Sequence, residues 1–126
     1  MKIDLNQYEK LLHEGKLVKI LEGIPASKGI AIGKPKVGSA VKYIEKIERG
    51  DIIVVPTTTP PDVRSLLECD GIITDTGGYT SHAALLASDL GIPCIVGTKD
   101  STKLLVDYDR ILMDGYSGNV YIVKEV

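Results

Sequence analysis

Residues 81–90 constrain the fold more than any other stretch, because as a helix they have almost no polar face. Ala83, Ala84, Leu85, Leu86, Ala87 and Leu90 run nearly all the way round it, so it is expected to pack against a sheet rather than lie on the surface. Its ends are marked by a hydroxyl cap at Thr80 or Ser81, by Gly91 as the stop, and by Pro93, which blocks continuation. Short runs rich in β-branched residues surround it, and residues 30–37, 52–55, 71–74, 94–96, 111–114 and 120–123 read as strands. Another helix is expected from Thr59, with Pro60 or Pro61 in its opening turn, through Val63, Leu66 and Leu67 toward Asp70. The pattern alone gives an α/β fold with few helices.

At 126 residues and 44% hydrophobic content the chain fits one domain with a real core. Fifteen basic against 17 acidic residues leave a net charge of −2, which offers no electrostatic footprint for nucleic acid or an anionic membrane surface. No apolar run approaches the roughly 20 residues that span a bilayer, and the polar start lacks a signal-peptide core, so a cytoplasmic protein is expected. Cys69 and Cys94 are too few and too far apart for a disulfide framework or a metal knuckle, and read as core thiols.

Residues 1–22 read as an N-terminal extension to a domain at 23–126. Asp4 caps a short helix with Gln7 reaching back, Leu5, Tyr8, Leu11 and Leu12 fall on one face, and Gly15 ends it. Residues 16–22 alternate weakly, as an added strand or a linker, and His13 faces solvent.

The chemistry centres on His82, which follows the pair Gly77-Gly78 and the hydroxyl residues Thr80 and Ser81 at the mouth of the apolar helix. Glycines let the backbone turn and expose its N–H groups, while a helix start presents partial positive charge. That setting suits an imidazole that attacks phosphorus and holds the phosphoryl group. On this reading Thr80 and Ser81 bond the phosphate or fix the ring tautomer, and the amides of Gly77 and Gly78 cradle its oxygens. The same residues read equally well as a cap and a turn. Asp75 either orients the imidazole or caps the turn, and Lys99 and Asp100 share the rim. Gly29 and Gly33 are strand-entry glycines, since no Gly-Lys-Ser/Thr follows them.

The run from Gly77 to Ala87 resembles the active-site signature of the phosphoenolpyruvate-utilising enzymes, which include pyruvate phosphate dikinase, phosphoenolpyruvate synthase and the first enzyme of the sugar phosphotransferase system. Three further stretches in matching order, 23–33, 57–62 and 90–98, and a closing hairpin around Met113-Asp114-Gly115 and Gly118-Asn119-Val120-Tyr121, extend the resemblance over most of the chain. It implies a single swivelling β/β/α phosphohistidine domain whose His82 is phosphorylated and carried between two distant active sites. Its partners would be nucleotide-binding and phosphoenolpyruvate- or pyruvate-binding domains or subunits. Magnesium and nucleotide or phosphoenolpyruvate would sit on those partners, with no cofactor bound by this chain beyond the phosphoryl group. Thr80 would stand where plant-type pyruvate phosphate dikinase has a regulatory phosphorylation site, and a negative group there would repel phosphate on His82.

One position departs from the family pattern: Ser88, six residues after the histidine, replaces an arginine or sometimes glycine. Either Lys28, Arg64, Lys99 or a partner's side chain supplies the cation for a phosphate of up to about two negative charges, or phosphotransfer is weakened. The rival function is therefore a non-catalytic binding or regulatory module that keeps the fold.

Overall fold

In the computed structural model, which describes residues 1–124, the elements run α1 (Leu5–His13), β1 (Leu17–Glu22), β2 (Ile24–Ser27), β3 (Ile30–Gly33), β4 (Pro35–Val37), β5 (Ile52–Val55), α2 (Val63–Leu66), β6 (Gly71–Thr74), α3 (His82–Leu90), β7 (Cys94–Val96), α4 (Ser101–Leu104), β8 (Ile111–Asp114) and β9 (Asn119–Val123). They form two stacked sheets. One has five strands in the order β2-β7-β6-β5-β4, parallel except for β2, and the other has four antiparallel strands in the order β1-β9-β8-β3.

The apolar runs without alternation in β5, β6 and β7 are explained by burial on both faces. Ile53, Val55, Ile72, Cys94 and Val96 meet Leu66 of α2 and Ala83 and Ala87 of α3. Ile52, Val54, Ile73 and Ile95 point the other way, against Ala31, Ile111, Met113 and Val120 of the four-stranded sheet. The layers are thus helix, sheet, sheet, as the resemblance implied. The small side chains of Ala83, Ala84 and Ala87 let α3 lie close on its sheet, but Leu85 is 55% exposed, contrary to the expectation that the whole helix is covered.

The N-terminal residues close the far side of the four-stranded sheet. Asp4 and Gln7 form the expected reciprocal cap, with Gln7 N donating to Asp4 Oδ1 at 2.8 Å and Asp4 N to Gln7 Oε1 at 3.0 Å. Tyr8 packs with Ile30, Ile32 and Leu112 and its hydroxyl donates to Tyr121 Oη at 2.9 Å. The apolar face of α1 is narrower than expected, since Leu5 and Leu12 are exposed. Of the alternatives for residues 16–22, the strand is the one formed, pairing with β9.

Three differences from the sequence expectation have local causes. The single strand at 30–37 is two, in different sheets: Gly33 lies so close to the Gly50 carbonyl that no side chain fits, and Pro35 starts the second as an edge strand. The helix expected from Thr59 to Asp70 is a 3-10 turn at Pro60–Asp62 followed by one α turn, because Asp70 N donates to Asp51 O and draws the chain back into the sheet. The strand β2 and the one-turn α4 were not anticipated, β2 because Pro25 stands within it, which only an edge strand tolerates.

Candidate phosphohistidine site

Parallel β5, β6 and β7 end at the same edge, where the loops that follow them are tied together. Thr76 N and Oγ1 both donate to Pro56 O, at 3.1 and 2.9 Å, which locks the loop after β6 to the loop after β5. Gly97 N donates to Thr76 O at 3.2 Å and Lys99 N to Asp75 O at 2.9 Å, which locks the loop after β7 to the same rim. This edge, beyond the carboxyl ends of parallel strands, is where open α/β sheets place their ligands.

His82 stands on that rim as the first residue of α3, half-buried, with Nδ1 2.8 Å from Thr58 Oγ1. Thr58 is 4% exposed, so it presents its hydroxyl to the ring from a fixed position. Which of the two donates depends on the ring tautomer, and where Nδ1–H donates to Thr58 Oγ1, Nε2 keeps its lone pair. Thr58 is the site residue that sequence reasoning missed: the run Thr57-Thr58-Thr59 reads as a turn and a cap. Thr59 does cap, donating from N and Oγ1 to Asp62 Oδ2 at 2.8 and 3.1 Å.

The other candidates divide between the site and its scaffold. Ser81 is the helix cap, its Oγ accepting from Ala84 N at 3.4 Å, and neither it nor the exposed Thr80 holds the ring, which Thr58 does. Gly77 is required by the turn: its φ is +101°, and an added Cβ would lie 3.0 Å from the Cβ and Oγ of Ser81. At Gly78 a Cβ would meet nothing within 4 Å. Among the described residues the amides of these two glycines donate to no backbone carbonyl, and with the start of the nine-residue α3 they leave donors and partial positive charge beside His82.

Asp75 does not orient the imidazole. Its carboxylate accepts from Ser101 Oγ at 2.6 Å, Thr102 N at 3.0 Å and Thr102 Oγ1 at 2.6 Å, which fixes the start of α4 and with it the rim. Among the cations weighed for the phosphate, Lys28 is removed: it lies in the β2–β3 turn beside Gly29, which packs on Pro93, at the opposite end of β7 from the rim. Lys99 is exposed on the rim itself, and Arg64 is exposed on α2 after the Thr58 loop. Ser88 is exposed on α3, about 9 Å along the axis from His82 and about 120° round it, so a side chain there addresses the surroundings rather than the imidazole.

Both cysteines are buried, and burial pushes the Cys69 thiol up to about 11 and the Cys94 thiol up to about 12. Among the described residues no group of three His, Cys, Asp or Glu side chains is placed to hold a metal ion, and no helix is long and apolar enough to cross a membrane.

Residues 47–118, which include Thr58, the glycine pair and His82, match the family model described as PEP-utilising enzyme, mobile domain. The chain belongs to that family. The mobile domain is 47% identical over 108 residues to a probable phosphoenolpyruvate synthase of Archaeoglobus fulgidus, covering 86% of this chain and 14% of that protein. It is 44% identical over 109 residues to the phosphoenolpyruvate synthase of Pyrococcus furiosus, covering 85% and 13%. Among solved structures, the solution structure of Enzyme I is 32% identical with a TM-score of 0.52, over 68% of this chain and 34% of that one. The chain therefore spans about a seventh of the length of the curated relatives it matches, which are multidomain proteins in which this domain sits beside others.

Proposed function

We propose that this mobile domain is a phosphohistidine carrier that accepts a phosphoryl group on Nε2 of His82 and passes it between partner active sites. The observation that carries the reading is the Thr58–His82 hydrogen bond, which occupies Nδ1 and leaves Nε2 as the free nitrogen on the rim. In the loading step the Nε2 lone pair attacks phosphorus, the bond from phosphorus to the donor's oxygen breaks, and its electron pair leaves with that oxygen. The Nδ1 proton stays on the ring against Thr58. In the unloading step an acceptor oxygen attacks phosphorus and the N–P bond breaks, returning the pair to Nε2. The amides of Gly77 and Gly78 and the start of α3 stabilise the phosphoryl oxygens in both steps.

The donor and acceptor sites belong to nucleotide-binding and phosphoenolpyruvate- or pyruvate-binding domains, and magnesium and nucleotide or phosphoenolpyruvate are held there rather than on this chain. On this reading the chain is one component of a phosphotransferase, works in the cytoplasm, and needs neither nucleic acid nor membrane. The rival, a binding module without phosphotransfer, drew its support from Ser88. Ser88 stands nearly two turns from His82 on the exposed side of α3, which supports the carrier reading over that rival.

The test is intact mass after exposure to phosphoramidate, a small donor that phosphorylates accessible histidine. An acid-labile, alkali-stable phosphoryl adduct on the wild type and on Ser88→Arg, absent from His82→Ala, is expected. An adduct on Ser88→Arg alone would restore the rival reading.

A further inference from the structure

One loop away from His82 is a cavity of about 450 Å3, walled by residues that follow two neighbouring parallel strands. Ser39 and Lys42 come from the chain after β4, which turns through a 3-10 helix at Val41–Tyr43, and Thr57, Thr59, Asp62 and Ser65 come from the chain after β5. The cavity therefore opens at the same carboxyl edge of the sheet as the histidine, and its volume is that of a small-molecule site. Thr57 and Thr59 line it while Thr58, between them, holds the imidazole, so a single loop has a face on each site.

The fold leaves the polar groups round this cavity uncommitted. Among the described residues Lys42 makes no ion pair, and its ammonium lies over the Tyr43 ring, 5.2 Å from the centroid. The hydroxyls of Ser39 and Ser65 donate to no group there, and Thr57 Oγ1 reaches Thr58 O only at 3.5 Å. Asp62 Oδ2 accepts from Thr59 N and Oγ1 at 2.8 and 3.1 Å, whereas Oδ1 accepts from none of the described residues. A cation and a carboxylate oxygen thus line one cavity without pairing with each other. A molecule that satisfies both carries an anion for Lys42 and a hydrogen-bond donor for Asp62. Donor count selects the anion: an ammonium and three hydroxyls exceed what the two oxygens of a carboxylate use and suit the three oxygens of a phosphomonoester. Asp62 already has two donors on Oδ2, so a neutral hydroxyl completes it.

We propose that this cavity is a binding site for a small hydroxylated phosphomonoester, its phosphate on Lys42, Ser39, Thr57 and Ser65 and its hydroxyl on Asp62. A ligand held there restrains the loop that carries Thr58, so the cavity addresses His82 without touching it. The site is separate from the amides of Gly77 and Gly78, and its existence does not depend on phosphotransfer.

The test is titration of the 15N-labelled domain with glycerol 3-phosphate at constant ionic strength, followed by amide chemical shifts, with inorganic phosphate and glycerol as parallel probes. Shifts centred on residues 39–42 and 57–65, that of Thr58 included, are expected with a Kd of about 1 mM, ordinary for so small a ligand. Inorganic phosphate, which lacks the hydroxyl arm, should bind about fivefold more weakly, and glycerol should give no shift. Lys42 and Ser65 are exposed, so their variants fold: Lys42→Met, which keeps the stem without the charge, and Ser65→Leu, which fills the cavity, should each weaken binding about tenfold or more. No shift at these residues by about 10 mM ester, ten times the expected Kd, or shifts centred on residues 77–82 instead, would overturn the site. Unchanged binding by both variants would overturn it too, and inorganic phosphate binding as tightly as the ester would overturn the assignment of a hydroxylated ligand.

Discussion

Thr58 Oγ1 and His82 Nδ1 are 2.8 Å apart although 24 residues separate them in the chain, and the contact exists because β5 and β6 lie side by side and end at the same edge. Thr58→Val keeps the shape and removes the hydroxyl, leaving Nδ1 without its partner. A net hydrogen bond of about 1–1.5 kcal/mol corresponds to roughly a tenfold loss of phosphorylation rate. Thr58→Ser restores most of it. Rates of adduct formation with phosphoramidate, followed by intact mass, check both variants, and equal rates for Thr58→Val and wild type would contradict the positioning role.

The glycine pair separates by its two members. Gly77→Ala forces a side chain into the left-handed region and to within 3.0 Å of Ser81, so it is expected to destabilise the domain by more than about 1 kcal/mol. Gly78→Ala meets open space and is expected to stay within about 0.5 kcal/mol of wild type. Chemical denaturation of the two variants reads the contrast, and similar midpoints would show that the turn at Gly77 is not the constraint described.

How far all this was legible in the sequence depended on whether a residue's surroundings are local. Residues 52–55, 71–74, 94–96 and 111–114 read as strands because runs buried on both faces carry their signal within themselves. Asp4 and Gln7 declared a cap for the same reason. Thr58 did not, since its partner comes from another loop and a threonine beside two others has nothing local to mark it as buried. Leu85 misled in the opposite sense: the sequence shows that it is apolar, but whether the sheet covers it depends on the direction α3 turns. Asp75, which precedes the glycine pair, reads in sequence as either an orienting carboxylate or a turn cap, and only the fold brings Ser101 and Thr102 to it.

That placement makes Asp75 a rim residue with a stability signature. Asp75→Ala strands the hydroxyls of Ser101 and Thr102 and the Thr102 amide, and hydrogen bonds to a charged acceptor are worth about 1.5–3 kcal/mol. A loss of stability of at least about 2 kcal/mol is expected. Hydrogen exchange should rise at Ser101–Leu104 first, and a variant as stable as wild type would contradict the assignment.

The buried thiols set an alkaline limit. Both are neutral when folded, and their ionisation is raised from 9.0 to about 11 for Cys69 and to about 12 for Cys94, chiefly by desolvation. Stability from keeping them neutral is fully present below pH 9 and is lost as pH rises through the folded values. The denaturation midpoint of the wild type should therefore fall more steeply above pH 9 than that of a Cys69→Ala, Cys94→Ala double variant. Neither thiol should react with an aromatic disulfide reagent in the native state, and rapid native labelling would contradict their burial.

On the proposed reading His82 carries phosphorus on Nε2 while Thr58 holds Nδ1. Nitrogen and phosphorus NMR of the phosphoramidate-treated, 15N-labelled protein tests it most directly. One phosphorus nucleus coupled to Nε2 of His82 is expected, with Nδ1 retaining its hydrogen bond and the signal absent from His82→Ala. Phosphorus on Nδ1, phosphorus on any other residue, or no signal at His82 would contradict it.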